Sequence, residues 1–555
     1  MSHAWYSSYP EGIPHEADIN AYDSLLDVFE SSCKEYSNNP CFLNYGKTLT
    51  FHQLDQHTRT LAAFLQNQLN MHTADKIAIM MPNLLQNPVS IFASLRAGLT
   101  VVNINPLYTA EELRHQLNDS GATCIIVLEN FAHTLQQVIH DTPIKHVIVS
   151  RMGDMLSFPK SMIINQVVKH IKKMVPAYQL PGHHTFKQCL HQGKAEDYIR
   201  PALTHTDFAF LQYTGGTTGV AKGAILTHGN LVANLQQVSA WIEPFVEKGK
   251  EHIITALPLY HIFSLLANCL FFMKLGGCNH LITNPRDMKG FVKELQHTRA
   301  TAITGVNTLF NGLLNTPGFD QVDFSQLKLT LGGGMAVQQS VADKWQQVTG
   351  KTLVEAYGLT ETSPAVCINP MNLSSYNGKI GLPMPSTDVC IKDDDNNILA
   401  TGEIGEICIK GPQVTQGYYN RPEETAKVFD ADGWFHSGDI GFMDKAGFFQ
   451  IVDRKKDMII VSGFNVYPNE IEAVIASHPD VIEVGVIGIA DDKTGESVMA
   501  VIVSRNPNLS HDIIRAHCEL SLTRYKIPRR VEFVSEVPKT NVGKILRREL
   551  RELFN

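Results

Sequence analysis

The sequence predicts an α/β protein: a large N-terminal domain of two α/β subdomains plus a β-barrel-like subdomain, then a small α+β domain. Helical patterns alternate with short apolar runs over residues 50–130 and again over 253–360, which is typical of mostly parallel strands. From about 380 to 452, strand-like runs lie between Gly, Asp, Asn and Pro turns, which indicates a mostly β section. A charge cluster, Asp453–Asp457, precedes residues 458–555, which have a pattern of their own.

Individual elements can be assigned within these parts. The predicted strands are Lys76–Met81, Cys124–Leu128, Phe208–Leu211, Val389–Lys392, Gly405–Lys410, Gly447–Val452, Met458–Val461 and Val484–Ile489. Pro468–Ser477 is predicted to be a helix, because it begins with a proline and has acidic residues in its first turn. Lys544–Arg551 is a basic, helix-like stretch. A solvated turn is the ordinary alternative for the charge cluster, which we instead take as a domain boundary after residue 453.

Composition narrows the class of protein. Of 555 residues, 44% are hydrophobic and 18% are charged, an ordinary balance for a soluble globular chain. The formal net charge of -8 gives no electrostatic reason to expect nucleic acid as a partner. Ten cysteines without a CxxC pair argue against a zinc site or a disulfide framework and fit a reducing cytoplasm. We see no secretory signal, and the most apolar run, Ile262–Met273, is too short to span a bilayer.

The segment Tyr213–Ala224 is rich in groups that bind phosphate. Glycine lets backbone N–H groups turn towards an anion, threonine hydroxyls add donors, and a lysine adds positive charge. The segment differs from the Walker pattern, because Ala221 precedes its lysine and Gly223 replaces the Ser or Thr. A flexible linker is the alternative interpretation. The candidate phosphate-binding residues are Tyr213, Thr214, Gly215, Gly216, Thr217, Thr218, Gly219 and Lys222.

This segment resembles the phosphate loop of the adenylate-forming superfamily, which contains acyl-CoA synthetases, peptide-synthetase adenylation domains and beetle luciferases. Five further motifs follow in the order of that superfamily, and the resemblance covers about Thr48 to Leu550. They are Gly332–Gly334, Tyr357–Glu361, Gly433–Asp439, Asp453–Lys456 and Pro538–Lys544. Across Leu257–Cys269 and Asp453–Ala473 the sequence is most similar to bacterial long-chain fatty acyl-CoA synthetases.

The resemblance implies a site that joins a carboxylic acid to ATP. Both reactants are anions, so a metal ion and a lysine would be needed to offset their repulsion. Glu361 and Thr214 would bind Mg²⁺, and Lys544 would bridge the carboxylate and the α-phosphate. Taken singly, Glu361 and Lys544 could equally be surface side chains. The other implied nucleotide-binding residues are Gly332, Gly333 and Gly334 along the adenine, Ala356, Tyr357, Gly358 and Thr360 in the second core motif, and Asp439 and Arg454 at the ribose.

Transfer of the acyl group to coenzyme A requires a second arrangement of the same site. The resemblance implies a mobile C-terminal domain, residues 458–555, that rotates about a hinge at 454–457 centred on Lys456. Ser462, Gly463 and Phe464 would then line the path of the pantetheine arm.

The acyl pocket is expected at His261, Leu265, Gly305 and Val306. His261 falls where the superfamily has an aromatic residue or histidine beside the substrate carboxylate, although a lone histidine is more often structural. Residues 262–273 offer no carboxylate for an amino group, so an apolar tail fits better than an amino acid. Leu265 replaces the tryptophan gate of some bacterial relatives, and ordinary core packing is the alternative for these apolar runs.

Residues 155–178 resemble a basic amphipathic helix that could lie on an anionic lipid surface. Apolar residues recur at helical spacing, with lysines outside that set. A surface helix packed on its own domain is the alternative. The apolar set is Ile163, Val167, Val168, Ile171, Met174 and Val175, and the lysines are Lys160, Lys169, Lys172 and Lys173.

The expected activity is that of a long-chain fatty acid–CoA ligase, which uses a fatty acid, ATP and coenzyme A with Mg²⁺ in the cytoplasm. Peripheral contact with the inner face of the cell membrane and a homodimer are left open. The alternatives are an acyl-AMP ligase that loads a carrier protein, a luciferase-like oxygenase and a non-catalytic lipid-binding protein. Retention of Lys544, Glu361 and Asp439 argues against the last, since lipid binding needs none of them.

Overall fold

The structure is a computed structural model that describes residues 3–214, 221–540 and 543–554. The strands are β1 Pro40–Asn44, β2 Lys47–Thr50, β3 Lys76–Met80, β4 Thr100–Asn103, β5 Cys124–Leu128, β6 His146–Ser150, β7 His184–Thr185, β8 Phe208–Thr214, β9 Lys222–Thr227, β10 His252–Thr255, β11 Cys278–Leu281, β12 Ala302–Gly305, β13 Leu329–Gly333, β14 Val354–Gly358, β15 Ala365–Ile368, β16 Leu382–Pro383, β17 Asp388–Lys392, β18 Gly405–Lys410, β19 Phe435–Met443, β20 Phe449–Arg454, β21 Ile459–Val461, β22 Phe464–Val466, β23 Val481–Asp491, β24 Gly495–Ser504 and β25 Arg530–Phe533.

The α-helices lie between these strands and at their ends. They are α1 Leu25–Glu35, α2 Phe51–Asn67, α3 Gln86–Arg96, α4 Ala110–Ser120, α5 Ala132–Gln136, α6 Lys160–Gln166, α7 Phe186–Gln192, α8 His228–Ile242, α9 Ile262–Ser264, α10 Phe271–Lys274, α11 Met288–Gln296, α12 Asn307–Leu314, α13 Gln339–Thr349, α14 Pro422–Ala426, α15 Pro468–Ala476, α16 His511–Glu519 and α17 Arg547–Phe554. Two π-helical segments extend short helices: Val167–Ile171 follows α6, and Leu265–Leu270 joins α9 to α10.

Two large sheets form the N-terminal part. One has seven strands in the order β7-β6-β5-β3-β4-β8-β9, all parallel except for the β8–β9 hairpin. The other has nine strands in the order β16-β15-β14-β13-β12-β10-β11-β1-β2, with a parallel centre and antiparallel strands at both ends. One hydrophobic cluster contains residues of both sheets, such as Ile79 from β3 and Ile253 from β10. The two α/β subdomains are therefore packed together around a shared core.

Two smaller sheets complete the chain. Strands β17–β20 form a four-stranded antiparallel sheet, and β22-β21-β24-β23, with β25 beside β24, form a five-stranded sheet after the charge cluster. Ile471, Val486 and Val498 belong to a separate hydrophobic cluster on the second of these sheets. The predicted fold class, an α/β protein with a large N-terminal and a small C-terminal domain, is confirmed.

Local sequence explains where several helices begin. Thr50, Thr109 and Thr227 each cap a helix with the side-chain hydroxyl, and the third residue of the helix bonds back to the cap. Such capping boxes satisfy backbone donors that a helix leaves open at its N-terminus. The basic stretch predicted at Lys544–Arg551 becomes helical only from Arg547, which leaves Lys544 on a loop.

The amphipathic helix expected over residues 155–178 is shorter than predicted. Regular helical structure covers only α6 and the π-helical segment after it. Pro159 occupies the cap position of α6, and Lys173 adopts a φ of 51° that ends the helical path. None of the helices in the described part of the chain is long and apolar enough to cross a membrane. All ten cysteines are unpaired and buried.

Candidate active site

A cavity of about 1390 Å³ lies between the large sheets, the four-stranded sheet and the C-terminal part. It brings together side chains that are far apart in the sequence. The predicted site residues on its wall are Tyr213, Thr214, Lys222, His261, Gly333, Gly334, Ala356, Tyr357, Gly358, Thr360, Glu361, Asp439, Arg454, Lys456 and Lys544.

The two ends of the predicted phosphate loop, Thr214 and Lys222, belong to strands β8 and β9. Thr214 ends β8 and pairs with Lys222, the first residue of β9. The Lys222 ammonium forms an ion pair with Glu424 and lies 5.4 Å from the centroid of the Tyr418 ring. Five predicted phosphate-binding residues between the two strands lie outside the described residues, namely Gly215, Gly216, Thr217, Thr218 and Gly219.

Glu361 lies on a short 3-10 helix after β14, buried in the cavity wall. The Tyr418 hydroxyl donates to its Oε1 at 2.7 Å, which fixes the carboxylate. Among the described residues, no three His, Cys, Asp or Glu side chains form a metal cage. Mg²⁺ that binds together with ATP needs only one or two protein oxygens, since phosphates and water supply the others. A fixed carboxylate on the same cavity wall as the Thr214 hydroxyl therefore fits that ion.

A second carboxylate, Asp439, is held in place by two neighbouring side chains. Asp439 lies on β19 and pairs with Arg454 on β20. The Tyr357 hydroxyl donates to Asp439 Oδ2 at 2.7 Å, and Arg454 Nε lies 3.3 Å from Asp439 Oδ1. These contacts hold a buried carboxylate, an acceptor suited to ribose hydroxyls, beside an aromatic ring.

Two of the three predicted glycines lie along the cavity. Gly334 has a φ of 79°, and a Cβ there would lie 3.4 Å from Lys544 Cε. The backbone therefore runs close beside the lysine side chain. Gly332 instead faces the core, where a Cβ would meet Leu353 at 2.7 Å.

Lys544 lies inside the cavity with charges of both signs around it. Burial and, to a smaller extent, the nearby Arg454 lower the pKa of Lys544 to about 8, although Asp439 and Glu361 oppose the shift. Burial and the nearby Lys544 lower the pKa of His261 to about 3, so the imidazole is neutral. A neutral imidazole beside a cationic amine can accept or donate one hydrogen bond without repelling the lysine.

Part of the cavity wall is apolar, and we refer to this part as the tunnel. Phe263, Leu266 and Ala267, which follow His261 in the sequence, contribute to it from the α9–α10 helical stretch. Six further side chains from two helices and three strands also line the cavity: Val238, Ile242, Ile253, Phe272, Ala302 and Leu329. An apolar wall of this kind suits an apolar ligand.

The predicted acyl-pocket residues do not all face this tunnel. Leu265 and Leu266 are both buried, but only Leu266 lines the cavity. Gly305 lies over the Phe310 ring, and a Cβ added at Gly305 would lie 2.8 Å from Phe310 Cζ. Val306 borders a small void of about 10 Å³ together with His261 and Lys544.

The predicted hinge and pantetheine residues lie on different surfaces. Lys456 lines the cavity, and burial together with Arg454 lowers its pKa to about 8. Ser462 and Gly463 form a turn with positive φ values of 51° and 82° between β21 and β22. Phe464 is 56% exposed, stacks on Tyr525 at 4.9 Å and is not part of the cavity wall.

Several side chains that shape the site were not predicted. The Tyr418 hydroxyl donates to Glu361, which lies 57 residues away in the sequence. The Tyr213 hydroxyl donates to Asp119 at 2.7 Å, and these two residues are 94 positions apart. Glu355 receives hydrogen bonds from the Val337 N–H and the Tyr376 hydroxyl, and burial raises its pKa to about 7. Each is a tertiary pairing between distant segments, for which the local sequence holds no signal.

Family comparisons agree with this geometry. The AMP-binding enzyme model matches residues 29–419, and the AMP-binding enzyme C-terminal domain model matches residues 470–544. The chain therefore belongs to the AMP-binding enzyme family, and the resemblance to adenylate-forming enzymes is confirmed.

Within that family, the chain is similar along its full length to long-chain-fatty-acid–CoA ligases. It is 54% identical over 552 residues to that of an Escherichia coli O6:H1 strain, covering 100% of this chain and 98% of the relative. It is 51% identical over 554 residues to the Haemophilus influenzae enzyme, with the same coverage. The Bacillus subtilis enzyme is 38% identical over 552 residues, covering 99% and 97%.

Solved structures share the fold. ATP-bound MatB from Rhodopseudomonas palustris has a TM-score of 0.82 at 25% identity, covering 95% of this chain and 99% of that one. The anthranilate CoA ligase AuaEII, in complex with anthranoyl-AMP, has a TM-score of 0.85 at 22% identity, covering 96% and 97%.

Proposed function

We propose that this chain is a long-chain fatty acid–CoA ligase. It converts a fatty acid, ATP and coenzyme A into acyl-CoA, AMP and diphosphate through an acyl-adenylate. The observation that carries the proposal is the position of Lys544, which lines one cavity with the Asp439 and Glu361 carboxylates, with His261 and with the apolar side chains of the tunnel.

In the first half-reaction, a fatty acid carboxylate attacks the α-phosphate and diphosphate leaves. Protonated Lys544 offsets the repulsion between the two anions and holds them together, and Lys222, which lines the same cavity, would attract the phosphates of ATP. Bound with ATP, Mg²⁺ would neutralise phosphate charge, held by Glu361 and Thr214. Asp439 accepts from the ribose hydroxyls, with Arg454 and Tyr357 keeping its carboxylate in place.

In the second half-reaction, the thiol of coenzyme A attacks the acyl carbonyl and AMP leaves. Lys544 occupies the approach to that carbonyl, so the C-terminal part, residues 458–555, must turn before the thiol can enter. The hinge is residues 454–457, with Lys456 as its centre. The turn would bring Ser462, Gly463 and Phe464 to the cavity as the path of the pantetheine arm.

The tunnel selects the acid. Its deep wall is made of apolar side chains from α8, α10 and the parallel strands of the nine-stranded sheet. Each methylene moved from water into such a tunnel contributes about 0.8 kcal/mol, so affinity should rise with chain length until the tunnel is full.

Release of AMP, measured across a series of fatty acids with and without coenzyme A, tests the proposal. We expect AMP release to depend on coenzyme A and to increase with chain length up to a limit. Equal turnover with a carrier protein in place of coenzyme A would favour the alternative, an acyl-AMP ligase. No AMP release with any fatty acid would refute both.

We also propose that residues 158–174 dock on an anionic lipid surface. Five large apolar side chains are exposed there, with exposed fractions from 52% to 82%: Phe158, Met162, Ile163, Ile171 and Met174. Lys169, Lys172 and Lys173 are exposed beside them, while Val168 packs into the domain. An exposed apolar patch bordered by lysines combines insertion with attraction to anionic headgroups.

A further inference from the structure

Helix α12, Asn307–Leu314, contacts the C-terminal part through two side chains. The Thr308 hydroxyl donates to the Gly543 carbonyl at 3.0 Å, and Asn311 Nδ2 donates to the Ile482 carbonyl at 2.9 Å. Residues three apart on a helix share a face, so both donors point the same way. One face of α12 therefore holds two backbone carbonyls that belong to the segment after the hinge.

Gly543 fits closely against this face. Its φ is 85°, and a Cβ there would lie 2.5 Å from Thr308 Oγ1 and 3.2 Å from Val306 Cγ2. Only glycine adopts this conformation without strain and permits so close an approach. Lys544 is the next residue, so the contact with α12 determines where the lysine enters the cavity.

The helix itself is firmly anchored. Leu309, Phe310 and Leu313 are buried, and the Phe310 ring contacts Trp345 at 4.8 Å. At its start, Asn307 Oδ1 accepts from the Gln338 N–H at 3.0 Å, in the segment that follows the glycines beside Lys544. A helix packed in this way can hold the segment around Gly543 in the precise position that catalysis requires.

We propose that Thr308 and Asn311 are positioning residues that select the adenylating orientation of the C-terminal domain. The inference rests on the proposed function, because it assigns the two contacts to one of its two half-reactions. Both hydrogen bonds exist when Lys544 is in the cavity, and both must break when the domain turns towards coenzyme A. Their removal should therefore weaken acyl-adenylate formation and leave thioester formation intact.

The test separates the half-reactions in purified full-length variants. ATP–diphosphate exchange with a fatty acid reports adenylation, and acyl-CoA formation from supplied acyl-AMP reports the second step. Thr308→Val keeps the shape and removes the donor, and Asn311→Leu removes the other donor. Each substitution should lower the adenylation rate about 5-fold, and the pair about 10- to 30-fold, as expected for one and two net hydrogen bonds. Thioester formation should change by less than about 2-fold.

Two further variants serve as controls. Thr308→Ser keeps the hydroxyl and should retain adenylation within about 3-fold. Gly543→Ala blocks the close approach and should reproduce the loss confined to the first half-reaction. Equal losses in both half-reactions, or full adenylation in the double variant, would overturn the inference. A wild-type enzyme that makes no acyl-CoA would instead refute the proposed function.

Discussion

At the scale of single residues, the proposed reaction depends most on Lys544. We expect Lys544→Ala to reduce acyl-adenylate formation by at least about 100-fold, because one preorganised charged donor at a transition state contributes that much. Thioester formation from supplied acyl-AMP should be largely retained, since the lysine acts only in the adenylating arrangement. Diphosphate exchange and acyl-CoA production measure the two steps. Equal loss of both half-reactions would contradict a role for Lys544 that is confined to adenylation.

The shifted pKa of Lys544 predicts a pH limit on adenylation. Below about 8 the free enzyme holds this amine charged, and above that value the charge is lost. The kcat/KM for adenylation reports the free enzyme, so it should fall as the pH rises through about 8. The corresponding alkaline fall in kcat, the alkaline limb of its pH profile, should occur at higher pH, because bound phosphate and carboxylate favour the charged amine.

Lys456 has a similar pKa in the same cavity, so it needs a control. If kcat/KM of a Lys456→Met variant still falls as the pH rises through about 8, the alkaline limb belongs to Lys544. Loss of the limb in this variant would assign it to Lys456 instead.

At the scale of elements, the short turn after β20 connects the two parts of the enzyme. Proline fixes φ near −65° and removes a backbone donor, so Lys456→Pro should restrict rotation there. We expect diphosphate exchange to persist while acyl-CoA formation from acyl-AMP falls by at least about 10-fold. Lys456→Ala, which leaves the backbone free, should retain both steps. Normal overall turnover in the proline variant would place the hinge elsewhere.

The exposed segment 158–174 predicts a charge-dependent attraction to membranes. Each lysine near an anionic surface contributes on the order of 1 kcal/mol, so reversal of Lys169, Lys172 and Lys173 to Glu should weaken vesicle binding by at least about 100-fold. Binding should also lose its dependence on salt. Co-sedimentation with anionic vesicles at two salt concentrations measures both effects.

A matched control changes the net charge equally at exposed lysines elsewhere. Lys289, Lys445 and Lys493 are exposed and lie outside this segment. Their triple reversal to Glu should bind vesicles much more tightly than the first variant. Equal binding by both variants would leave residues 158–174 as a surface segment of their own domain.

At the scale of the whole molecule, a buried ionic cluster ties the C-terminal helix to the proposed hinge, residues 454–457. Arg547 on α17 forms ion pairs with Asp453 at 3.4 Å, Asp457 at 3.3 Å and Glu472 at 2.9 Å. Those carboxylates raise the pKa of Arg547 against the effect of its burial. The cluster joins β20, the hinge and two helices of the C-terminal part.

Arg547→Ala would leave three acidic groups close together without their shared cation. Removing one partner of a buried ion pair costs roughly 3–5 kcal/mol, so we expect the free energy of unfolding to fall by about that amount. Arg548→Ala is the control: within the described residues its ion pair is with exposed Glu552, and such a pair contributes less than about 1 kcal/mol. Urea denaturation of both variants measures the difference, and equal stabilities would show that the cluster does not stabilise the fold.

The sequence alone determines the order of the motifs, and the family resemblance assigns each motif its role in nucleotide binding. The structure brings Gly334, Glu361, Asp439 and Lys544 to one cavity, and their catalytic roles stay predictions. The strand Gly405–Lys410 was also predicted with its observed bounds, because turn residues mark both of its ends.

Tertiary structure alone decided which side chains meet. Leu266 lines the cavity and Leu265 does not, because the packing of the α9–α10 helical stretch against the sheet decides which of two adjacent leucines meets the cavity. Tyr418 reaches Glu361, and Thr308 reaches Gly543 across 235 residues, because the sheets and the C-terminal part pack as they do. Periodicity and motif spacing carry information about residues that are close in the sequence. These contacts instead depend on how helices and strands that are distant in the sequence pack against each other.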